Sequence, residues 1–148
     1  MKIKQIKSSE THHLRHLVLW PHIAMEKDCN IDIDNREDAI HIGVYRDEKL
    51  ISIGSLFEMS NKKLSSKRQY RLRAMATHPN YREQNAGKIL VEYAVKIIQE
   101  KKYDILWCDA REVALGFYSK LGFQVVGDWY EVPNVGKHKT MFFELRNE

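Results

Sequence analysis

Cysteine is scarce in this chain. Cys29 and Cys108 stand apart, with neither metal-site nor redox spacing, which argues against a disulfide-stapled fold and predicts a reduced, cytoplasmic protein. Long apolar runs are missing as well. No stretch approaches the roughly 18 apolar residues of a membrane helix, and the opening "MKIKQIKSSE" has no apolar core of a signal peptide, so neither a membrane partner nor secretion is expected. The glycine patterns of a Walker loop, G-x-x-x-x-G-K-[ST], and of a dinucleotide fingerprint, G-x-G-x-x-G, are both absent. Nothing repeats and no segment is low-complexity. Charge of one sign is only mildly in excess: 24 Lys and Arg against 20 Asp and Glu give a net +4 that is not gathered in one run. That balance suits an anionic ligand and speaks against nucleic acid, because the one basic stretch, "NKKLSSKRQYRLR", has no aromatic-rich RNA motif beside it.

What is present is an ordinary globular composition. With 148 residues, 43% apolar and 30% charged, the chain is expected to be one domain over 1–148, with enough material for a single core. Residues 2–6 alternate as a short strand. "SSETHHLRHLVLWP" reads as a helix that Ser8 or Ser9 caps, with Leu14, Leu17 and Val18 on its inner face and Pro21 ending it. The acidic stretch 26–38 reads as a loop or broken helix. "AIHIGVYR" and "KLISIGSLF", joined by Asp47-Glu48, read as a β-hairpin without the usual turn glycine, and "YRLRAMAT" as a third strand ending at His78-Pro79. Ala86, Ile89, Leu90, Tyr93, Ala94, Ile97 and Ile98 trace one face of an amphipathic helix. "YDILWCDA" is apolar on both faces, as in a central strand, and "REVALGFYSKL" is a second helix with Gly122 at its C-cap. "FQVVGDWYEV" and "KTMFFEL" complete a mixed α/β sheet.

The segment "YREQNAGKILVEYA" places a polar loop between a strand and that amphipathic helix. The first amides of a helix have no internal partner and sit at the positive end of its dipole, so a strand–loop–helix junction suits phosphate. Gly87 permits close backbone approach, Asn85 tolerates a left-handed conformation, and Arg82 and Lys88 add charge. An ordinary surface turn reads the same way.

Taken with "WCDAREVALGFYSKLGF", the string "MATHPNYREQNAGKILVEYA" resembles the GNAT superfamily of acetyl-CoA-dependent N-acetyltransferases, firmly over 70–124 and more weakly upstream and downstream. The resemblance implies a mixed, mostly antiparallel twisted sheet of six to seven strands with helices on both faces. It also implies direct transfer of acetyl from acetyl-CoA to an amine of a small molecule or peptide. The alternative is a non-catalytic acyl-CoA sensor, and a homodimer is left open. Residue by residue, it sets Met75, Ala76 and Thr77 beside the pantetheine arm. It sets Arg82, Glu83, Gln84, Asn85, Ala86, Gly87 and Lys88 around the pyrophosphate. Glu83 and Asn85 stand where many members have glycine.

Tyr118 matches the family's acid for the leaving thiolate, set against a plain packing role beside Phe117 and Leu121. Lys120 is either a 3′-phosphate contact or a solvated lysine, and Arg111 either approaches the cofactor or supports the start of the second helix. For the base, the strand before the loop offers no carboxylate. His138 resembles a histidine of one subgroup, with an exposed loop histidine as the other reading; Glu58 and His41 are weaker candidates. No metal is expected. His12 and His16 have ligand spacing but no third partner. The Asp28, Asn30, Asp32 and Asp34 run lacks the glycine and terminal glutamate of a calcium loop. A cationic amine acceptor would suit that acidic stretch. Cys29 has no activating partner for a nucleophile's role.

Overall fold

In the computed structural model, which describes residues 1–145, the alternating runs become strands β2 (Ile40–Arg46) and β3 (Lys49–Glu58). Their turn residues Asp47 and Glu48 take φ of +49° and +67°, so a left-handed two-residue turn forms without glycine. The remaining strands are β1 (Lys2–Ile6), β4 (Gln69–Thr77), β5 (Ile105–Arg111), β6 (Gln124–Val132) and β7 (Gly136–Glu144). Hydrogen bonding orders them β1-β2-β3-β4-β5-β7-β6 in a seven-stranded sheet. The helices are α1 (His12–Leu14), α2 (Ala86–Glu100) and α3 (Leu115–Lys120). Among the described residues no helix is long and apolar enough to cross a membrane.

The fold divides into two compact units, Met1–Phe57 with Leu72–Ala94, and Glu58–Arg71 with the chain from Val95 onward. In the first unit β1 pairs antiparallel with β2 and β2 with β3. Leu14, Ile53 and Ala76 form a buried cluster joined by Ile6, Val18, Leu19 and Leu50. Gly54 sits where β3 meets its neighbours: a Cβ there would stand 2.8 Å from Leu90 and 2.9 Å from the Met75 sulfur. In the second unit β4 pairs parallel with β5 over Gln69–Arg71 and Ile105–Trp107, and β7 joins β5 and β6 antiparallel. Leu106, Trp107 and Cys108 are consecutively buried, as a strand covered on both faces requires. Gly122, at φ +100°, closes α3 as expected.

The first helical segment departs from expectation. It begins as a 3-10 turn at Ser8–Thr11, and neither serine caps it. The Glu10 carboxylate accepts from the Lys7 amide at 2.9 Å instead, while the Ser8 hydroxyl donates to Asn35 Oδ1 at 3.0 Å. After α1 the chain widens into a π-turn over Arg15–Leu19, with the Trp20 amide bonded back to the Arg15 carbonyl at 2.8 Å. The wider turn rotates the helical faces. Leu17, expected inside, is 44% exposed, and Arg15 is wholly buried in its place.

Arg15 holds the acidic stretch from within. Its Nη1 donates to Asp34 Oδ2 at 2.7 Å and to the Cys29 carbonyl at 3.1 Å; Nη2 donates to Asp34 Oδ1 at 2.9 Å and Ser55 Oγ at 3.0 Å. Burial pushes the Asp34 carboxyl upward, but the Arg15 hydrogen bonds and charge outweigh it and hold the carboxyl below the usual range. Asp34 is therefore not available to greet a cationic acceptor, because its charge is already neutralised.

Candidate functional site

In the first unit, β4 ends at Thr77 and His78 begins a 3-10 turn, Pro79–Tyr81, by accepting from the Asn80 amide at 3.1 Å. Ser52 Oγ bonds the Ala76 carbonyl at 3.2 Å and sits 2.9 Å from Thr77 Oγ1, fixing the end of the strand that carries Met75, Ala76 and Thr77. Within β4, Ala74 takes φ +56°, a left-handed break in an otherwise extended strand.

The loop itself keeps the backbone that glycines would give it. Glu83 and Asn85 have φ of +65° and +68°. A left-handed conformation costs a residue with a Cβ roughly 1–2 kcal/mol, less for Asn. The Gln84 side chain accepts from Arg46 Nη1, tying the loop to β2. The first hydrogen bond of α2 runs from the Ile89 amide to the Asn85 carbonyl at 2.9 Å, so the amides of Ala86, Gly87 and Lys88 precede the helical ladder. No acidic residue stands in the first turn of α2, whereas Lys88 does. Arg82 and Lys88 are exposed. Amide donors, positive dipole and cations at one helix start fit a pyrophosphate, as coenzyme A carries.

In the second unit, Tyr118 projects from α3 and is buried, with its ring 5.0 Å from Phe117 and 5.3 Å from Phe123. Its hydroxyl meets the Cys108 side chain on β5. Burial first, and that contact second, raise the phenol well above its ordinary pKa. Burial likewise raises the Cys108 thiol. Tyr118 is thus a neutral donor at every physiological pH. Phe117 is partly exposed and Lys120 lies exposed in the last turn of α3. Arg111 ends β5 with its side chain exposed and makes no side-chain cap for the turn Glu112–Ala114.

His138 is not in an exposed loop: it lies in β7, buried, paired in register with Arg111 of β5 and Tyr130 of β6. Nδ1 sits 2.9 Å from the Gly136 carbonyl, which assigns the proton to Nδ1 and leaves the lone pair on Nε2. Paired residues share a face of a sheet, so His138 shares that of Arg111 and Asp109, opposite to Cys108 and Tyr118. The weaker base candidates fare differently. Both ring nitrogens of His41 are engaged, by Ser55 at 2.7 Å and the Asp34 carbonyl at 2.9 Å, and burial lowers its pKa; the Glu58 carboxylate accepts from the Tyr103 hydroxyl. Among the described residues no three His, Cys, Asp or Glu side chains converge on a metal position.

Sequence reasoning missed a polar cluster on the same face as His138. Asp109 Oδ2 accepts from Arg71 Nη2 at 3.0 Å, and Oδ1 accepts from the Tyr130 hydroxyl and from Thr140 Oγ1 at 3.2 Å. The signal was a lone carboxylate inside "ILWCDA". A surface depression of about 820 Å³, lined by residues including Lys2, Lys4, Tyr45 and Arg46, contains none of the expected site residues.

Comparison with known proteins follows the same lines. The sequence profile described as "Acetyltransferase (GNAT) family" matches residues 4–123. The "Uncharacterized N-acetyltransferase YitI" of Bacillus subtilis (strain 168) is 37% identical over 146 residues, covering 99% of this chain and 97% of that protein. Among solved structures, an aminoglycoside 6'-N-acetyltransferase complexed with coenzyme A superposes with a TM-score of 0.79 at 14% identity, covering 100% of this chain and 99% of the other. A putative N-acetyltransferase from Lactobacillus plantarum gives 0.76 at 18% identity, covering 99% and 100%. At such identity these two speak for the fold alone. With the profile spanning most of the chain and a relative aligned end to end, the chain belongs to the acetyltransferase (GNAT) family and is an acetyl-CoA-dependent N-acetyltransferase.

Proposed function

We propose that the chain transfers acetyl directly to a primary amine within a ternary complex, and that the residues described above divide the work. The observation that carries this is the start of α2: amides outside the helical ladder, no acidic residue in the first turn, and glycine-like backbone at Glu83 and Asn85. The amides of Ala86, Gly87 and Lys88, with the Arg82 and Lys88 charges, would hold the pyrophosphate. The backbone of Met75, Ala76 and Thr77 would hold the pantetheine arm. When bound, acetyl-CoA supplies a thioester carbonyl that a neutral amine can attack.

Tyr118 Oη carries a proton that burial keeps in place, so its role is to donate a hydrogen bond or that proton to the departing sulfur. A phenol raised so far is a weaker acid than a free one, which favours the hydrogen-bond role. The His138 Nε2 lone pair takes the ammonium proton of the acceptor, while Nδ1–H stays on the Gly136 carbonyl and fixes the ring. Tyr118 and His138 lie on opposite faces of β5, so one tetrahedral adduct meets only one of them directly and the other exchanges its proton through water. Phe117, Arg111 and Lys120, all on the surface, are the further cofactor contacts that the family resemblance implies. Two free, buried cysteines support a reducing compartment, the cytoplasm.

Thermal unfolding with and without acetyl-CoA tests the reading. Ligand at a hundred times its dissociation constant adds ~2.7 kcal/mol. For a chain of this size the midpoint rises by roughly 5–10 °C. No shift at millimolar acetyl-CoA would mean that Glu83 and Asn85 have disabled the loop.

A further inference from the structure

The acceptor's chemistry is written in what remains unused on the His138 face of the second unit. Asp109 has both oxygens engaged, by Arg71, Tyr130 and Thr140. The donors around it are not exhausted. Arg71 Nε is buried and faces no ligand, but Nη1 reaches only the Met59 thioether at 3.5 Å, a weak acceptor, so the outer end of the guanidinium keeps N–H bonds to give. The guanidinium lies 5.0 Å over the Trp107 ring and is one-fifth exposed. Lys63 joins it from the neighbouring loop: Nζ donates to Thr140 Oγ1 at 3.1 Å and stands 4.4 Å over the Tyr130 ring. Its contacts are a hydroxyl and an aromatic face, and two of its three N–H bonds are left over.

Lys63 is held there by construction. The Gln69 side chain pins the loop through the Asn61 amide at 2.7 Å and the Ser66 carbonyl at 2.7 Å. Across from it β6 departs from regular pairing between Val126 and Tyr130. There Gly127 sits at φ +81°, where a Cβ would stand 3.2 Å from the Lys63 chain. The glycine lets the lysine stem lie close against β6. Two cations thus flank one carboxylate whose oxygens are both engaged, and the cluster presents more unused donors than unused acceptors. Such a surface selects an anion. The other acidic candidate, Asp34, is closed off by Arg15.

We infer that Lys63 and Arg71 anchor a carboxylate of the acceptor, so that the substrate is a primary amine which also bears a carboxylate. The inference rests on the acetyltransferase reading and adds the substrate class. His138 and Thr140 alternate along β7, about 7 Å apart on one face. That spacing fits an amine and a carboxylate several bonds apart. Matched probes are 4-aminobutanoate and butylamine, which differ in the carboxylate, and 3-aminopropylphosphonate, which replaces it.

The full-length protein is first checked for stabilisation by acetyl-CoA, then coenzyme A release is followed with each amine. The expected result is a kcat/KM at least tenfold higher for 4-aminobutanoate than for butylamine. Lys63→Gln, on an exposed side chain, should shrink that ratio several-fold, and Lys63→Arg should preserve it. As a readout without turnover, 4-acetamidobutanoate should bind the coenzyme A-saturated protein at least tenfold more tightly than N-butylacetamide. Stabilisation by acetyl-CoA with equal use of the two amines overturns this inference alone. Preference for the phosphonate overturns the carboxylate assignment. No stabilisation and no release with any amine overturns the acetyltransferase reading, and this inference with it.

Discussion

Asp34→Ala is the perturbation whose size the structure fixes best. The change deletes both oxygens that neutralise a guanidinium with no solvent exposure, along with the acceptor for the Ile31 amide at 2.8 Å. Arg15 keeps only the Cys29 carbonyl and the Ser55 hydroxyl, and its Nε already has no partner among the described residues. Breaking a buried pair from one side leaves an uncompensated charge and costs about 3–5 kcal/mol. Unfolding entropy for a chain of this length is roughly 0.3 kcal/mol/K, so the melting midpoint should drop by about 10–16 °C. Urea unfolding should give the same free energy without a change of slope. The double variant Arg15→Met, Asp34→Leu should recover much of the loss, because neither charge is then stranded. The pH dependence gives a second check. Asp34 has its folded pKa depressed, so its contribution is present above the unfolded carboxylate value near 4 and disappears as pH falls through the folded one. The gap between wild type and Asp34→Ala should therefore narrow on acidification. A loss below about 1 kcal/mol, or a double variant as unstable as the sum of the singles, would refute the argument.

Tyr118→Phe should lower turnover by roughly tenfold or more with little change in acetyl-CoA affinity, since it removes one donor and no bulk. Unchanged kcat in steady-state assays would reduce Tyr118 to a packing residue. Glu83→Gly relieves a left-handed conformation worth roughly 1–2 kcal/mol, partly offset by the greater freedom of the unfolded chain. Calorimetry should find acetyl-CoA bound at least as tightly as by the wild type; weaker binding would show that the carboxylate, not the backbone, matters there.

Much of this was legible in the order of residues. The period of Ala86, Leu90, Ala94 and Ile98 gave α2, and each is buried. Alternation gave the hairpin, and the loop at 82–88 stood out because polar residues precede that helix directly. What failed did so where a local pattern met a non-local partner. Ser8 looked like a cap, but Asn35, far along the chain, took its hydroxyl. Leu17 fell on the apolar face of an ideal helix, and a π-turn moved that face. His138 could be read as an exposed loop histidine at the entry to the last strand, whereas strand pairing with Arg111 and Tyr130 buries it.

By itself, then, the sequence determined the order of strands and helices, the position of the polar loop before α2 and membership of the acyltransferase family. These follow from periodicities and junctions a few residues long, which the chain carries locally. Only the tertiary structure decided which charges remain free. Asp34 and Asp109 are equivalent carboxylates on paper. One is extinguished by a buried arginine nineteen positions away, and the other is engaged at both oxygens by groups from three strands. Whether a charge recognises a ligand depends on partners that folding brings from distant positions, and no local spacing encodes them.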